Sequence, residues 1–212
     1  MLTLTEKYRP RKLAEVVAQP KATEALDKIR ERFGTWAGRS YWITGPSGTG
    51  KTTLARIIAD DIADKWTTFE TTADAFGSEE VSALEDELGY YAMGRGGKVW
   101  IINEAHGLRA PVIRRMLDIL ERIEGNSSAA VIFTTTIDGE EQLLDGSIER
   151  HPLVHRCTPI RLTTQGAAKP FAARAAEIAK AEGLSVTTEQ LVKIAYECKC
   201  SMRGLLRAIE TL

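Results

Sequence analysis

Apolar positions along this chain fall into two alternating rhythms. Unbroken apolar runs occupy residues 40–44 (SYWIT), 98–102 (KVWII) and 129–133 (AAVIF), with strand-like segments at 66–72 and 158–162. Runs of this length predict strands, and the unbroken ones predict strands buried on both faces. Between them apolar residues recur every three or four positions, the spacing of one buried helix face. Ala22, Leu26, Ile29 and Phe33 form one such stripe; Leu54, Ile57, Ile58 and Ile62 form a second, over residues 52–63. Val81, Leu84, Leu88 and Tyr91 mark a helix from about Ser78, which the glycine-rich break at 94–97 ends. A further helix over 109–123 turns Ile113, Met116, Leu117, Leu120 and Ile123 inward.

Strands alternating with helices predict an α/β domain whose parallel sheet is sandwiched by helices. After Leu162 the rhythm becomes purely helical and alanine-rich. Phe171, Ala175, Ile178 and Ala179 stripe a first helix, and Thr187 with Gln190 predicts a capping box for a second that carries Leu191, Ile194 and Ala195. A third begins near Ser201, with Met202, Leu205, Leu206 and Ile209 inward. The expected division is an α/β core over residues 1–162 and a small three-helix unit over 163–212.

Composition adds exclusions. The net charge is −1 with 27% charged residues, so no global basic field points to nucleic acid, and any such contact must come from a local patch. Residues 5–11 are polar and charged, and no apolar run approaches a membrane span. Neither a signal peptide nor an anchor is expected, and the cytoplasm is the default location. Cys157, Cys198 and Cys200 lack the paired C-x-x-C spacing of a zinc site and read as reduced thiols.

The chemistry centres on Gly45, Pro46, Ser47, Gly48, Thr49, Gly50, Lys51 and Thr52, which fit G-x-x-x-x-G-K-[ST] between a predicted strand and a predicted helix. This is a P-loop for ATP and Mg²⁺. Its glycines let backbone N–H groups cradle phosphates, Lys51 reaches the β and γ oxygens, and the Thr52 hydroxyl holds the metal. Further on, the buried run at 98–102 delivers Asn103 and Glu104 at its carboxyl end, where ligands of parallel sheets bind; this is the Walker B layout. Glu104 is the candidate to orient and deprotonate the attacking water. His106 reads as a polar loop residue.

The segment EKYRP, a short apolar stretch, a helix and then GPSGTGKTT resemble the small subunits of replication factor C and related clamp loaders, which are AAA+ ATPases. The resemblance runs from Thr5 to Leu212. It implies a P-loop AAA+ module with a three-helix lid, and a base pocket lined by Tyr8, Arg9, Pro10 and Val17, with Thr53 extending the P-loop. It places Asn103 where the family has an aspartate that helps hold the Mg²⁺ water shell. Exchanging a charge-assisted hydrogen bond for a neutral one forfeits about 1 kcal/mol or more. Binding survives that loss; hydrolysis, which needs the metal placed accurately, is the step expected to slow.

In the same family Thr135 takes the sensor 1 position, and Arg203, in Ser-Met-Arg-Gly, the sensor 2 position facing the phosphates. Pro152-Leu153-Val154-His155-Arg156-Cys157 resembles the P-x-x-S-R-C signature, with Arg156 as an arginine finger given in trans, which implies an oligomer. The Ile-Arg-Arg-Met-Leu-Asp stretch resembles the central helix that meets DNA. Its Arg109, Arg114 and Arg115 either line a solvated face or touch phosphates without sequence preference. Residues 138–150 read as a surface insertion. Clamp-loader subunits continue into a collar where this chain stops, so it is either a fragment or a collarless protein. Three functions follow as expectations: a clamp-loader-like ATPase acting with a sliding clamp, sister subunits and DNA; a hydrolysis-poor scaffold presenting Arg156 to a neighbour; or an AAA+ remodeller or helicase loader.

Overall fold

The computed structural model describes residues 2–90, 96–125, 128–137 and 151–211. Five strands, β1 (Arg39–Thr44), β2 (Thr68–Thr72), β3 (Lys98–Asn103), β4 (Ala129–Thr135) and β5 (Thr158–Arg161), form one sheet in the order β2-β3-β4-β1-β5. Every pairing is parallel. The unbroken apolar runs are explained by this arrangement, because successive residues of a strand point to opposite faces and both faces are covered. Tyr41, Ile43, Val99, Ile101, Ala130 and Ile132 enter the core on one side, while Trp42, Trp100, Ile102, Val131 and Phe133 enter the core on the other.

Helices α2 (Pro20–Phe33) and α3 (Lys51–Ile62) cover the first face, and α4 (Ser78–Leu88) and α5 (Ala110–Ile123) the second. On α5 the inward stripe is wider than expected: Val112 and Ile119 join it, and Leu117 is only half-buried. Phe33 departs from its predicted inward place and is 50% exposed. It is the last residue of α2 before the left-handed Gly34, and the guanidinium of Arg39 covers its ring at 3.7 Å. The run at 66–72 also starts later than expected, since a 3-10 turn over Lys65–Thr67 leaves Trp66 on the surface and β2 begins at Thr68. A short helix, α6 (His151–His155), precedes β5. Tyr91 and the expected insertion at 138–150 lie outside the described residues.

The lid consists of α7 (Ala168–Ala181), α8 (Thr188–Glu197) and α9 (Met202–Glu210) around their own core of Phe171, Ala175, Leu191, Leu205 and Ile209. The expected capping box is present: Thr187 Oγ1 accepts from the Gln190 N–H at 3.3 Å, and Gln190 Oε1 accepts from the Thr187 N–H at 2.9 Å. The N-terminal arm joins this core too. Leu4, on the one-turn helix α1 (Leu4–Lys7), is buried there with Tyr8 and Val17 against it. The three cysteines are free thiols. Among the described residues no helix is long and apolar enough to cross a membrane.

Candidate nucleotide site

The sheet order sends the chain from β1 to the far edge and back, leaving a crevice at the carboxyl ends of the strands, and the P-loop lies there between β1 and α3. Gly48 and Gly50 adopt left-handed φ values of 79° and 103°. Gly48 has a second constraint, because a Cβ there would lie 1.9 Å from Ser201 Oγ. Lys51 is buried and donates to the carbonyls of Gly45 and Pro46 at 2.8 and 3.0 Å. Desolvation holds its pKa below the ordinary lysine value, so an anion entering the loop is strongly favoured as a partner. The amino end of α3 adds N–H groups with no partner inside the helix, the usual anchor for phosphate.

Residues of three strands, β2, β3 and β4, meet beside the loop. Asn103 Oδ1 accepts from the hydroxyls of Thr52 at 3.1 Å and Thr134 at 2.8 Å, while its Nδ2 donates to Glu70 Oε1 at 3.0 Å. Glu70 is also gripped by Arg56, through Nε to Oε2 at 2.7 Å and Nη2 to Oε1 at 3.1 Å. That contact raises the Arg56 pKa. Glu104 follows with φ 53° and ψ 45°, a left-handed conformation that costs a non-glycine residue about 1 kcal/mol or more and clusters at functional sites. His106 stands beside it, with Nδ1 3.6 Å from Glu104 Oε2 and 3.0 Å from Thr135 Oγ1.

Sequence reasoning did not find Glu70, Thr134 or the placement of His106. The strand-end threonines are split by the pleat: Thr135 is buried and its hydroxyl meets His106, and the hydroxyl that reaches Asn103 is that of Thr134. The signal for Thr134 lay in the alternation along β4. Glu70 had none, since the register of β2 on β3 brings it there.

Over the P-loop lies an open cleft walled by the arm, the loop and the lid. Tyr8, Arg9, Pro10 and Val17 line it as expected, with Phe171 and Leu206 adding apolar surface and Arg174 and Arg203 adding charge. Ser47, Gly48, Thr49, Gly50, Lys51, Thr52, Thr53 and Glu104 form its floor. Arg9 Nη1 donates to Thr53 Oγ1 at 3.0 Å. The Tyr8 hydroxyl and Lys7 Nζ both reach Glu182 on the lid, the lysine at 2.6 Å. The lid touches the loop itself, for the Met202 N–H donates to the Gly48 carbonyl at 3.1 Å.

The remaining arginines lie elsewhere. Arg156 pairs with Glu121 of α5 at 2.7 Å and does not line the cleft. Arg114 is exposed on α5, and Arg109 is exposed at the position just before its first turn. Arg115 turns toward α4, donating to the Ser78 carbonyl and to Ser82 Oγ at 3.1 Å each and pairing with Glu85.

The residues at the mouth of the loop fit Mg²⁺. The Thr52 hydroxyl and the Asn103 amide oxygen are hard, neutral donors facing one another, and Mg²⁺ completes such a partial set with phosphate oxygens and water. Among the described residues no cluster of three or more His, Cys, Asp or Glu builds a metal cage without them.

A P-loop at the switch point of a parallel sheet, with a strand-end carboxylate and a helical lid above it, defines a nucleotide-binding module of the AAA+ type. The family model of the ATPase family associated with various cellular activities (AAA) matches residues 41–156, more than half of the chain, and the chain belongs to that family. It is 26% identical over 210 residues to the replication factor C small subunit of Halobacterium salinarum, covering 97% of this chain and 61% of the relative. It is also 26% identical to replication factor C small subunit 1 of Pyrobaculum islandicum, covering 91% of this chain and 56% of the relative. The chain thus spans about three fifths of the curated relatives it matches. Among solved structures, the Thermotoga maritima RuvB Holliday junction branch migration motor superimposes with a TM-score of 0.70 at 22% identity, over 96% of this chain and 64% of that one, a likeness of fold.

Proposed function

We propose that the chain binds Mg²⁺–ATP in this cleft and serves as an AAA+ subunit of a clamp-loader-like assembly, coupling nucleotide binding and hydrolysis to placing a sliding clamp on DNA. The observation that carries the reading is the alignment of nearly the whole chain with replication factor C small subunits, joined to a cleft that gathers the arm, P-loop, Glu104 and Arg203. Lys51 leaves the loop carbonyls for the β and γ oxygens, and Tyr8, Pro10 and Val17 cover the base. The Thr52 hydroxyl oxygen would hold Mg²⁺, with Asn103 orienting that hydroxyl and helping to place the metal's water shell; bound there, the ion would neutralise phosphate charge. Glu104 takes the proton of the attacking water as its oxygen bonds to the γ-phosphorus and the bond to the bridging oxygen breaks, releasing ADP. Arg156 lies outside its own cleft and acts on the nucleotide of a neighbouring subunit. Arg109 and Arg114 face DNA phosphates; Arg115 is spent on α4.

The neutral Asn103 favours a second reading, in which the chain binds ATP but hydrolyses it poorly and lends Arg156 to an active neighbour. Calorimetric ATP binding and turnover, with and without primed DNA and a clamp, separate the two. Both readings require Lys51→Ala to weaken ATP binding about a hundredfold, the loss of charge-assisted bonds to phosphate. DNA-stimulated turnover that Glu104→Gln abolishes supports the loader. Tight binding without turnover under every condition leaves the scaffold, and unaltered binding by Lys51→Ala sinks both.

A further inference from the structure

Asn103 is held by side chains from three different elements, and its orientation is fixed by chemistry. Glu70 carries only acceptors, so the amide NH₂ must face it, as the 3.0 Å contact has it. The amide oxygen is thereby turned to the Thr52 and Thr134 hydroxyls at 3.1 and 2.8 Å. Both hydroxyls donate there, which leaves the Thr52 lone pairs pointing away from Asn103 for a cation. Released from Glu70, the amide could turn over and present a donor to Thr52 and to the metal side of the loop.

The same geometry makes an aspartate at this position a poor replacement. Its carboxylate would stand about 3 Å from that of Glu70 across the β2–β3 pair, and like charges at such a distance do not coexist without loss. Arg56 compensates one carboxylate: its two contacts, at 2.7 and 3.1 Å, are both spent on Glu70. The cluster thus has a place for a single negative charge, and in this chain that charge sits on β2, one hydrogen bond removed from the usual position on β3.

We propose that Glu70 is a positioning residue of the cation site: it orients Asn103 and supplies the negative charge beside that amide, so that residues 70 and 103 are a matched pair and an aspartate at 103 works only where residue 70 is neutral. This rests on the reading of the cleft as a Mg²⁺–nucleotide site.

The test is a cycle of four proteins: wild type, Asn103→Asp, Glu70→Gln and the double variant. A fluorescent ATP analogue is titrated in Mg²⁺ and in EDTA, and the Kd in EDTA divided by the Kd in Mg²⁺ measures how much the metal helps. Thermal unfolding without nucleotide or metal is the second readout. Asn103→Asp is expected to lower the ratio and the unfolding midpoint, and Glu70→Gln, which keeps a partner for the amide but removes the charge, to lower the ratio. The double variant, with the charge moved back to residue 103, regains about tenfold in the ratio over either single variant, the size of one charge-assisted hydrogen bond, and recovers the midpoint. If Asn103→Asp does not fold, recovery of folding in the double variant supports the pair equally, and continued failure of the double overturns it. Additive effects, or an Asn103→Asp ratio matching that of the double, also overturn the proposal while wild-type binding stands. A wild type that binds the analogue in neither condition overturns the nucleotide reading itself, and the proposal falls with it.

Discussion

Two cations for which phosphate roles are proposed, Lys51 and Arg156, are held by opposite means. Lys51 is buried under a loop whose own carbonyls receive its ammonium, and the loop is shaped by left-handed glycines and by the helix it begins. Arg156 lies on the surface at the end of a short helix, against a glutamate that is itself exposed. The first site is finished within one chain. The second is stored in an exchangeable ion pair, which costs little to break when a better anion arrives. The difference separates a cation fixed by its own loop from one whose proposed role needs a neighbouring subunit.

The sharpest way to break the comparison is Arg156→Ala. It should change the stability of the isolated chain by no more than about 1 kcal/mol, the range for an exposed pair, as read by denaturant unfolding. In an assembly with active neighbours it should lower turnover about 10³-fold or more. A large stability loss would make Arg156 a structural residue instead. Gly48→Ala probes the opposite region. Its positive φ and the clash with Ser201 should destabilise the fold by roughly 1 to 3 kcal/mol and loosen the lid, measured by unfolding and by hydrogen exchange in α9. A variant as stable as wild type would mean that the lid does not rest on the loop.

The smallest effect concerns pH. The Lys7 and Tyr8 contacts hold the Glu182 pKa below the ordinary carboxylate value. A carboxyl lowered on folding contributes stability that is complete above its unfolded pKa and fades as pH falls through the folded one. Acidification below the ordinary carboxylate range should therefore free the arm from the lid, seen as faster hydrogen exchange at residues 4–8, and Glu182→Gln should remove that pH dependence.

The fold was legible because both sheet faces are covered: residues 98–102 and 129–133 carry no polar alternation to confuse with a surface strand, and the P-loop is contiguous in sequence. The floor of the site was legible for the same reason. What escaped was whatever the sheet register assembles. Glu70 lies on the edge strand among polar neighbours and resembles any solvated glutamate until β2 is paired with β3. His106 looked like a loop residue because its partner Thr135 is 29 positions away. Phe33 fitted the helical period, but the period cannot report that the last residue of α2 stacks under the Arg39 guanidinium instead of entering the core.

The contact between Gly48 and the lid has a counterpart at the other end of the same helix. α9 begins with the Met202 N–H on the Gly48 carbonyl and ends with Glu210, whose carboxylate receives the backbone N–H of Leu4 in the arm. At 1.5 Å per residue its nine residues form a rod about 13 Å long. The P-loop end and the arm end of the cleft are therefore braced by one short helix, so that the spacing between Gly48 and Leu4 is set by the length of α9.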